Sequence, residues 1–166
     1  MAAVIYNTDP IAVVGGEMLA RLKDEAVTAP LRRARFCLHH SPDDRLHEML
    51  IVFCRDSLVR PHRHTDKSES FHVVEGRLTV VLFDDDGKPI RRIPMAPPGQ
   101  GLPFLYRVDG PIWHSLILES EYVSIHEVTN GPFRAADGDF PAWAPEESDA
   151  LRRYMASLVD GDRLND

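Results

Sequence analysis

The stretch from Pro61 to Gly76, PHRHTDKSESFHVVEG, decides how this chain is read. His62 and His64 stand at i and i+2, and in an extended strand such residues point to one face with their Cβ atoms about 6.6 Å apart. Two imidazoles can therefore converge on one ion. The polar turn Thr65 to Ser68 leads into a strand that carries Glu69 and stops at Gly76, so the carboxylate can be turned back onto the same interior. Histidines and a glutamate gathered inside a small barrel would be costly to bury unless coordination compensated them, and this favours a metal site over satisfied polar side chains.

Around this stretch the chain is rich in strand-forming segments. Arg35 to His39, Leu46 to Cys54, Ser70 to Val74 and Leu78 to Phe83 are rich in β-branched, aromatic or aliphatic residues, as are Phe104 to Val108, Trp113 to Leu118 and Tyr122 to Val128. Leu46 to Cys54 is apolar at both parities, which predicts a strand covered on both sides. Asp85-Asp86-Gly87 supplies a hairpin turn, and Pro89 places the returning strand at a sheet edge. Short strands with turn signals and no helix between them predict a sandwich or barrel.

The flanks differ. Val4 to Tyr6 is a short β-prone piece, and Leu19, Leu22 and Ala26 recur at helical spacing until Pro30. After Gly131-Pro132 the chain is irregular and aromatic. Pro145 then suits the first turn of a helix, Glu146 and Glu147 its dipole, and Leu151, Tyr154, Met155 and Leu158 make one apolar stripe. The expected organisation is a strand and helix extension over 1–34, a barrel over 35–132, and an irregular segment and helix packed on it over 133–166.

With 166 residues the chain can bury one good core and is too short for two ordinary domains. A formal charge of −7 argues against nucleic acid or an anionic membrane as partner, because such binding needs clustered cations. A small-molecule ligand is left. The two cysteines, Cys37 and Cys54, lie in apolar runs and are expected to be reduced core residues. No signal-peptide pattern and no long apolar run occurs, so a soluble, cytoplasmic protein is expected.

The spacing His62-x-His64, four residues, Glu69, six residues, Gly76 resembles the first metal motif of the cupins, small jelly-roll β-barrels. The resemblance implies an all-β fold, a single cupin barrel flanked by an N-terminal and a C-terminal helix. It also implies a divalent metal held by His62, His64, Glu69 and His114. The family's Pro-x-Gly before the second-motif histidine stands here as Asp109-Gly110-Pro111, and Leu118 takes the place of its asparagine. Over most of the chain, RARFCLHHSPDD, LVRPHRHTDKSESFHVVEGRL, FDDDGKP, WHS, HEVTNGPF and WAPEE look like the WbuC-type cupin fold metalloproteins, with Ser68 where an aromatic residue is commoner. That resemblance implies a bacterial setting in O-antigen and lipopolysaccharide biosynthesis and a homodimer, to which Val4 to Tyr6 could contribute by adding to a neighbour's sheet.

Imidazoles and one carboxylate suit Zn, Fe, Ni or Mn, and an octahedral ion would keep positions open. The expected function is a metal-dependent enzyme acting on a small polar substrate, a sugar or sugar nucleotide, as an isomerase or epimerase, a hydrolase or an oxygenase. The competing reading is a non-catalytic, metal-anchored carbohydrate-binding protein. Glu127 and His39 are the candidate catalytic residues. Glu127 shares parity with Val123 and Ile125, although Tyr122 and His126 compete for that face. His72 has the opposite parity to Glu69 and is expected to point away from the site; Arg32, Arg33 and Arg35 could hold a phosphate or carboxylate, with exposed charge the expectation for Arg32 and Arg33.

Overall fold

In a computed structural model, residues 3–134 and 138–160 are described. The parts of the expected extension at 1–2 and of the C-terminal segment at 135–137 and 161–166 lie outside them. The elements in chain order are β1 (Ala3–Tyr6), α1 (Gly16–Thr28), β2 (Arg33–Cys37), β3 (Leu46–Cys54), β4 (Arg63–His64), β5 (Ser68–Glu75) and β6 (Leu78–Phe83). They continue with β7 (Pro89–Met95), β8 (Leu105–Asp109), β9 (Trp113–Leu118), β10 (Tyr122–Asn130), β11 (Gly138–Asp139) and α2 (Ser148–Asp160).

The strands make a six-stranded sheet in the order β1-β2-β3-β10-β5-β8, facing a three-stranded sheet β7-β6-β9, with β11 and β4 as a short pair. This is a single jelly-roll barrel. Its interior is filled from both sheets by Met49, Ile51, Phe53, Phe71, Val73, Val123 and Ile125 on one side and by Leu78, Val80, Leu116 and Leu118 on the other. Alternation decides which residues these are, since successive strand residues face opposite sides.

The outer face of the large sheet is covered too. Leu22 and Ala26 of α1 pack on Ala34, Phe36, Leu50, Val52 and Cys54, which explains why Leu46–Cys54 is apolar at both parities. On the small sheet, Leu151, Met155 and Leu158 of α2 cover Val81, Phe83 and Trp113. Cys37 and Cys54 are buried free thiols, and burial pushes Cys37 up to about 11, so neither is reactive near neutral pH. β7, which begins at Pro89, is an edge strand, where a missing N–H costs nothing.

The N-terminal strand pairs in parallel with β2 of its own chain, Ala3 with Ala34 through Tyr6 with Cys37, and is the edge strand of the large sheet. The physical reason is α1, which gives the chain the crossover length that a parallel return requires. The C-terminal helix starts at Ser148 rather than at Pro145, and its first turn closes from Leu151 N–H onto the carbonyl of Glu147 at 2.8 Å. Pro145 belongs to the approach. Neither helix, among the described residues, is long and apolar enough to cross a membrane.

Candidate metal centre

Three local devices bring His62, His64, Glu69 and His114 together. His62 and His114 face each other across an isolated antiparallel bridge, each donating its backbone N–H to the other's carbonyl at 3.0 and 2.9 Å. His64 is fixed by the pairing of β4 with β11, where it opposes Gly138. Glu69 lies on the inward face of β5 opposite Thr129 and Val108. At the end of the motif Gly76 has φ 78°, and a Cβ there would collide with the carbonyl oxygen of Tyr122. Only glycine closes that turn without strain.

One ligand atom from each of the four residues lies within 4.8 Å of the others. His64 Nε2 is 3.2 Å from Glu69 Oε2 and His114 Nε2 is 3.8 Å from Glu69 Oε1. The ring centroids of His62 and His114 are 4.4 Å apart. The tautomers follow from the outer partners. His62 Nδ1 donates to the carbonyl of Arg60 at 2.9 Å and His114 Nδ1 to that of Ile112 at 2.8 Å, so a carbonyl fixes each proton and leaves Nε2 with its lone pair turned inward.

His114 Nε2 is buried and has no hydrogen-bond partner. An orphaned basic nitrogen aimed at a carboxylate and two further imidazoles fits a divalent cation, which would satisfy all four donors at once. The electrostatics agree. Burial, then the neighbouring His114, pushes His62 down to about 4, which keeps it neutral and able to ligate. Burial alone would raise the Glu69 carboxyl, but the hydrogen bond from His64 and the surrounding imidazoles hold it below its ordinary value.

The register of β10 is settled by its pairings. Glu127 stands opposite Met49 and Phe71 with Ile125 and Val123 on its own face, so it points into the barrel. It is the diagonal neighbour of Glu69, a relation that sets Cα atoms about 7 to 8 Å apart. His126 turns the other way and bonds Glu48 at 2.8 Å, with His72 beside it at 5.6 Å between ring centroids. His72 is therefore on the outer face. Burial, then the charge of Glu69, pushes Glu127 up to about 8, against the pull of Arg35 and Arg33.

His39 does not join the cluster. It lies just beyond β2, its Nδ1 accepts the backbone N–H of Glu48 at 3.2 Å, and its ring stacks on His47 at 4.1 Å. Sheet order puts it three strands from Glu69, about 14 Å at the usual strand spacing. Arg60 and Arg63 turn away from the cluster, Arg60 onto the carbonyl of Ala144 and Arg63 onto Asp139 and the face of Trp113. Lys67 donates to the carbonyl of Pro132.

Two interior groups escaped the sequence reading. Tyr106 lies opposite Phe71, with a buried hydroxyl that has no partner and a pKa raised by burial and by the charge of Glu69. Arg33 is not exposed charge: it is half-buried on the same face of β2 as Arg35 and Cys37, while Arg32 has φ 55° and turns out to bond Asp56 at 3.0 Å. The signal for Arg33 was its parity with Cys37.

A family model described as a domain of unknown function (DUF6016) matches residues 14–95. No curated protein sequence matches the chain. Among solved structures, a Shewanella oneidensis protein superposes with a TM-score of 0.52 at 10% identity, over 64% of this chain and 72% of that one. That likeness is one of fold, the single jelly-roll barrel of the two facing sheets. The cupin domain of Schizosaccharomyces pombe Cnp3 gives 0.46 at 11% identity, over 60% of this chain and 64% of that one. An oxalate decarboxylase of Lactobacillus farciminis gives 0.44 at 14%, over 60% of this chain and 28% of that one. At such identities nothing beyond fold carries over, and the chemistry of this chain has to be argued from its own side chains.

Proposed function

We propose that this chain is a metal-dependent cupin enzyme of the WbuC type that acts on a small polar substrate, a sugar or sugar nucleotide, in the assembly of O-antigen or lipopolysaccharide. The setting and substrate class are supported by the ordered segments from RARFCLHHSPDD to WAPEE. The catalytic part rests on one observation: an inward-facing carboxyl, Glu127, stands one diagonal step from a four-residue cluster whose His114 Nε2 has no partner.

A divalent ion held by His62, His64, Glu69 and His114 would supply Lewis acidity toward a hydroxyl or carbonyl of the substrate. The chain's own residues do the rest. The carbonyls of Arg60 and Ile112 keep two imidazoles in the ligating tautomer. Tyr106 offers a hydroxyl proton into the same lumen. Burial holds the Glu127 carboxyl well above its ordinary value, so it can carry a proton that an exposed glutamate would have lost. A lone tunable carboxyl of this kind suits proton shuttling, and isomerisation or epimerisation is the reaction class it supports best.

The test is metal analysis and isotope exchange on protein purified without chelators. One divalent ion per chain is expected, together with uptake of solvent deuterium at carbon by one member of a sugar-nucleotide panel. Glu127→Gln should keep the ion and lose the exchange. An ion with sugar binding but no exchange would replace the enzyme by the carbohydrate-binding reading, and absence of an ion under all conditions would remove both.

A further inference from the structure

The interior face of the large sheet carries two arginines that no close ion pair among the described residues neutralises, Glu127 acting on them only from a distance. Arg33 and Arg35 lie on the face of β2 that also carries Cys37, opposite Phe53 and Ile51, both of which line the barrel. Both side chains are half-buried. Arg33 Nε is buried without a hydrogen-bond partner, and neither guanidinium forms an ion pair among the described residues. Among the described residues, Arg35 makes only a long contact from Nη1 to Met49 Sδ, at 3.9 Å. Other partly buried arginines are paired, as Arg32 with Asp56 and Arg63 with Asp139.

Partly desolvated cations without counter-ions are costly, and two on one face, two residues apart, repel each other as well. A chain with 26 acidic residues against 19 basic ones had counter-charges to spare for them. Glu127 is the nearest carboxyl on this face. It sits two strands along the sheet from the arginines, about 10 Å at the usual strand spacing, and forms no ion pair with them. Guanidinium groups present flat forks that match the oxygens of phosphate and carboxylate.

We infer that Arg33 and Arg35 form an oxyanion subsite inside the barrel, which binds a phosphate or carboxylate group of the substrate. Read with the proposed function, on which this assignment of substrate class rests, the inner face is a line of groups. The metal cluster and Glu69 stand at one end, Glu127 in the middle and the arginine pair at the far side. A substrate spanning it has a neutral polyol or carbonyl portion at the metal and an anionic portion about two strand spacings or more away, roughly the reach of a sugar carrying one acidic substituent. The uncharged sugar alone would leave the guanidinium pair unmatched.

The test is calorimetric titration of the metal-loaded protein with UDP-glucose, glucuronate and glucose, at a salt concentration where exposed charges are screened beyond about 8 Å. At least one anionic probe is expected to bind about tenfold or more tightly than glucose, a phosphate subsite favouring UDP-glucose and a carboxylate subsite glucuronate. Arg33→Gln with Arg35→Gln should remove that preference and keep the metal content. Arg32→Gln, outside the barrel, should leave it unchanged. Should the double variant fold poorly, the wild-type protein gives the same answer: phenylglyoxal labelling mapped by mass spectrometry should show Arg33 and Arg35 protected by the anionic probe and not by glucose. Equal binding of all three probes, a preference that survives the double substitution, or labelling that ignores the probe overturns the subsite. Arginine-dependent anion binding in protein that takes up no metal would sink the enzyme reading and leave the subsite standing. Metal uptake with no anion preference does the reverse.

Discussion

The outer face of β2 and β3 carries Ala34, Phe36, Leu50, Val52 and Cys54 and is closed by Leu22 and Ala26 of α1, whereas the inner face of the same strands carries Arg33, Arg35, Cys37, Met49 and Ile51. Both faces come from one alternating backbone. Outside the barrel Ser124 Oγ and, under α2, Tyr154 Oη are buried without partners, while the inside leaves His114 Nε2, Tyr106 Oη and Arg33 Nε turned toward one lumen. A face that only has to hold the fold together is filled with hydrocarbon. One that has to hold a ligand keeps polar atoms waiting, because the ligand completes them. Changes to the polar groups of the inner face should therefore cost binding and spare stability, and changes to the apolar outer face should do the opposite.

The strongest way to break this comparison is His114→Ala. If the roughly 10 to 16 kcal/mol of a four-ligand zinc site is shared evenly, one ligand accounts for about 3 to 4 kcal/mol, two to three orders of magnitude in affinity. Competition titration with a chromogenic chelator should show that loss. Thermal unfolding of the metal-free variant should change little or rise, since the substitution removes an unpaired buried nitrogen. A large loss of metal-free stability would make His114 a structural residue first.

Next in size is Leu22→Ala. Leu22 is fully buried against the outer face, and its truncation should destabilise by about 2 to 3 kcal/mol, toward the low end for core leucines because a surface helix can settle into the gap. Chemical denaturation measures it. Metal affinity should stay within about twofold of wild type, because α1 touches none of the four ligands. A proportional fall in metal binding would show that the two faces are coupled through the sheet.

How far these faces could be read from sequence depends on what each strand reveals about its own parity. Leu46–Cys54, Leu78–Phe83 and Trp113–Leu118 are apolar runs cut off by turn residues, and the strands match to the residue. The metal cluster was legible because its spacing repeats a known motif. β2 was harder: Arg32, Arg33 and Arg35 look alike in sequence, and the turn to φ 55° at Arg32 sends one of them out while the strand sends the other two in. Tyr106 sits among apolar residues and looks like ordinary core until the pairing of β5 with β8 places it opposite Phe71 in the lumen. The inward direction of Glu127 needed the hydrogen bond from His126 to Glu48, a contact 78 residues apart in the chain. Parity within a strand is local information, but which parity faces the barrel is fixed by partners distant in sequence.

The smallest expected effect concerns the rim where α1 meets the sheet. Lys23 Nζ lies 2.7 Å from Glu75 Oε1 and 5.3 Å from the ring centroid of Tyr122, strapping the helix to the end of β5 just past the register shift at Ser124 and Ile125. Both side chains remain partly in water, at 27% and 39% exposure, so solvent and salt screen most of their attraction. Lys23→Met keeps an apolar stem over Tyr122 and removes the charge. It should cost about 0.2 to 1 kcal/mol, and the deficit should shrink as salt is raised, whereas the deficit of Leu22→Ala should not. Two substitutions one residue apart on α1 thus separate the charge that trims the edge of the outer face from the hydrocarbon that closes it, and equal salt dependence of the two would mean that helix docking is electrostatic after all.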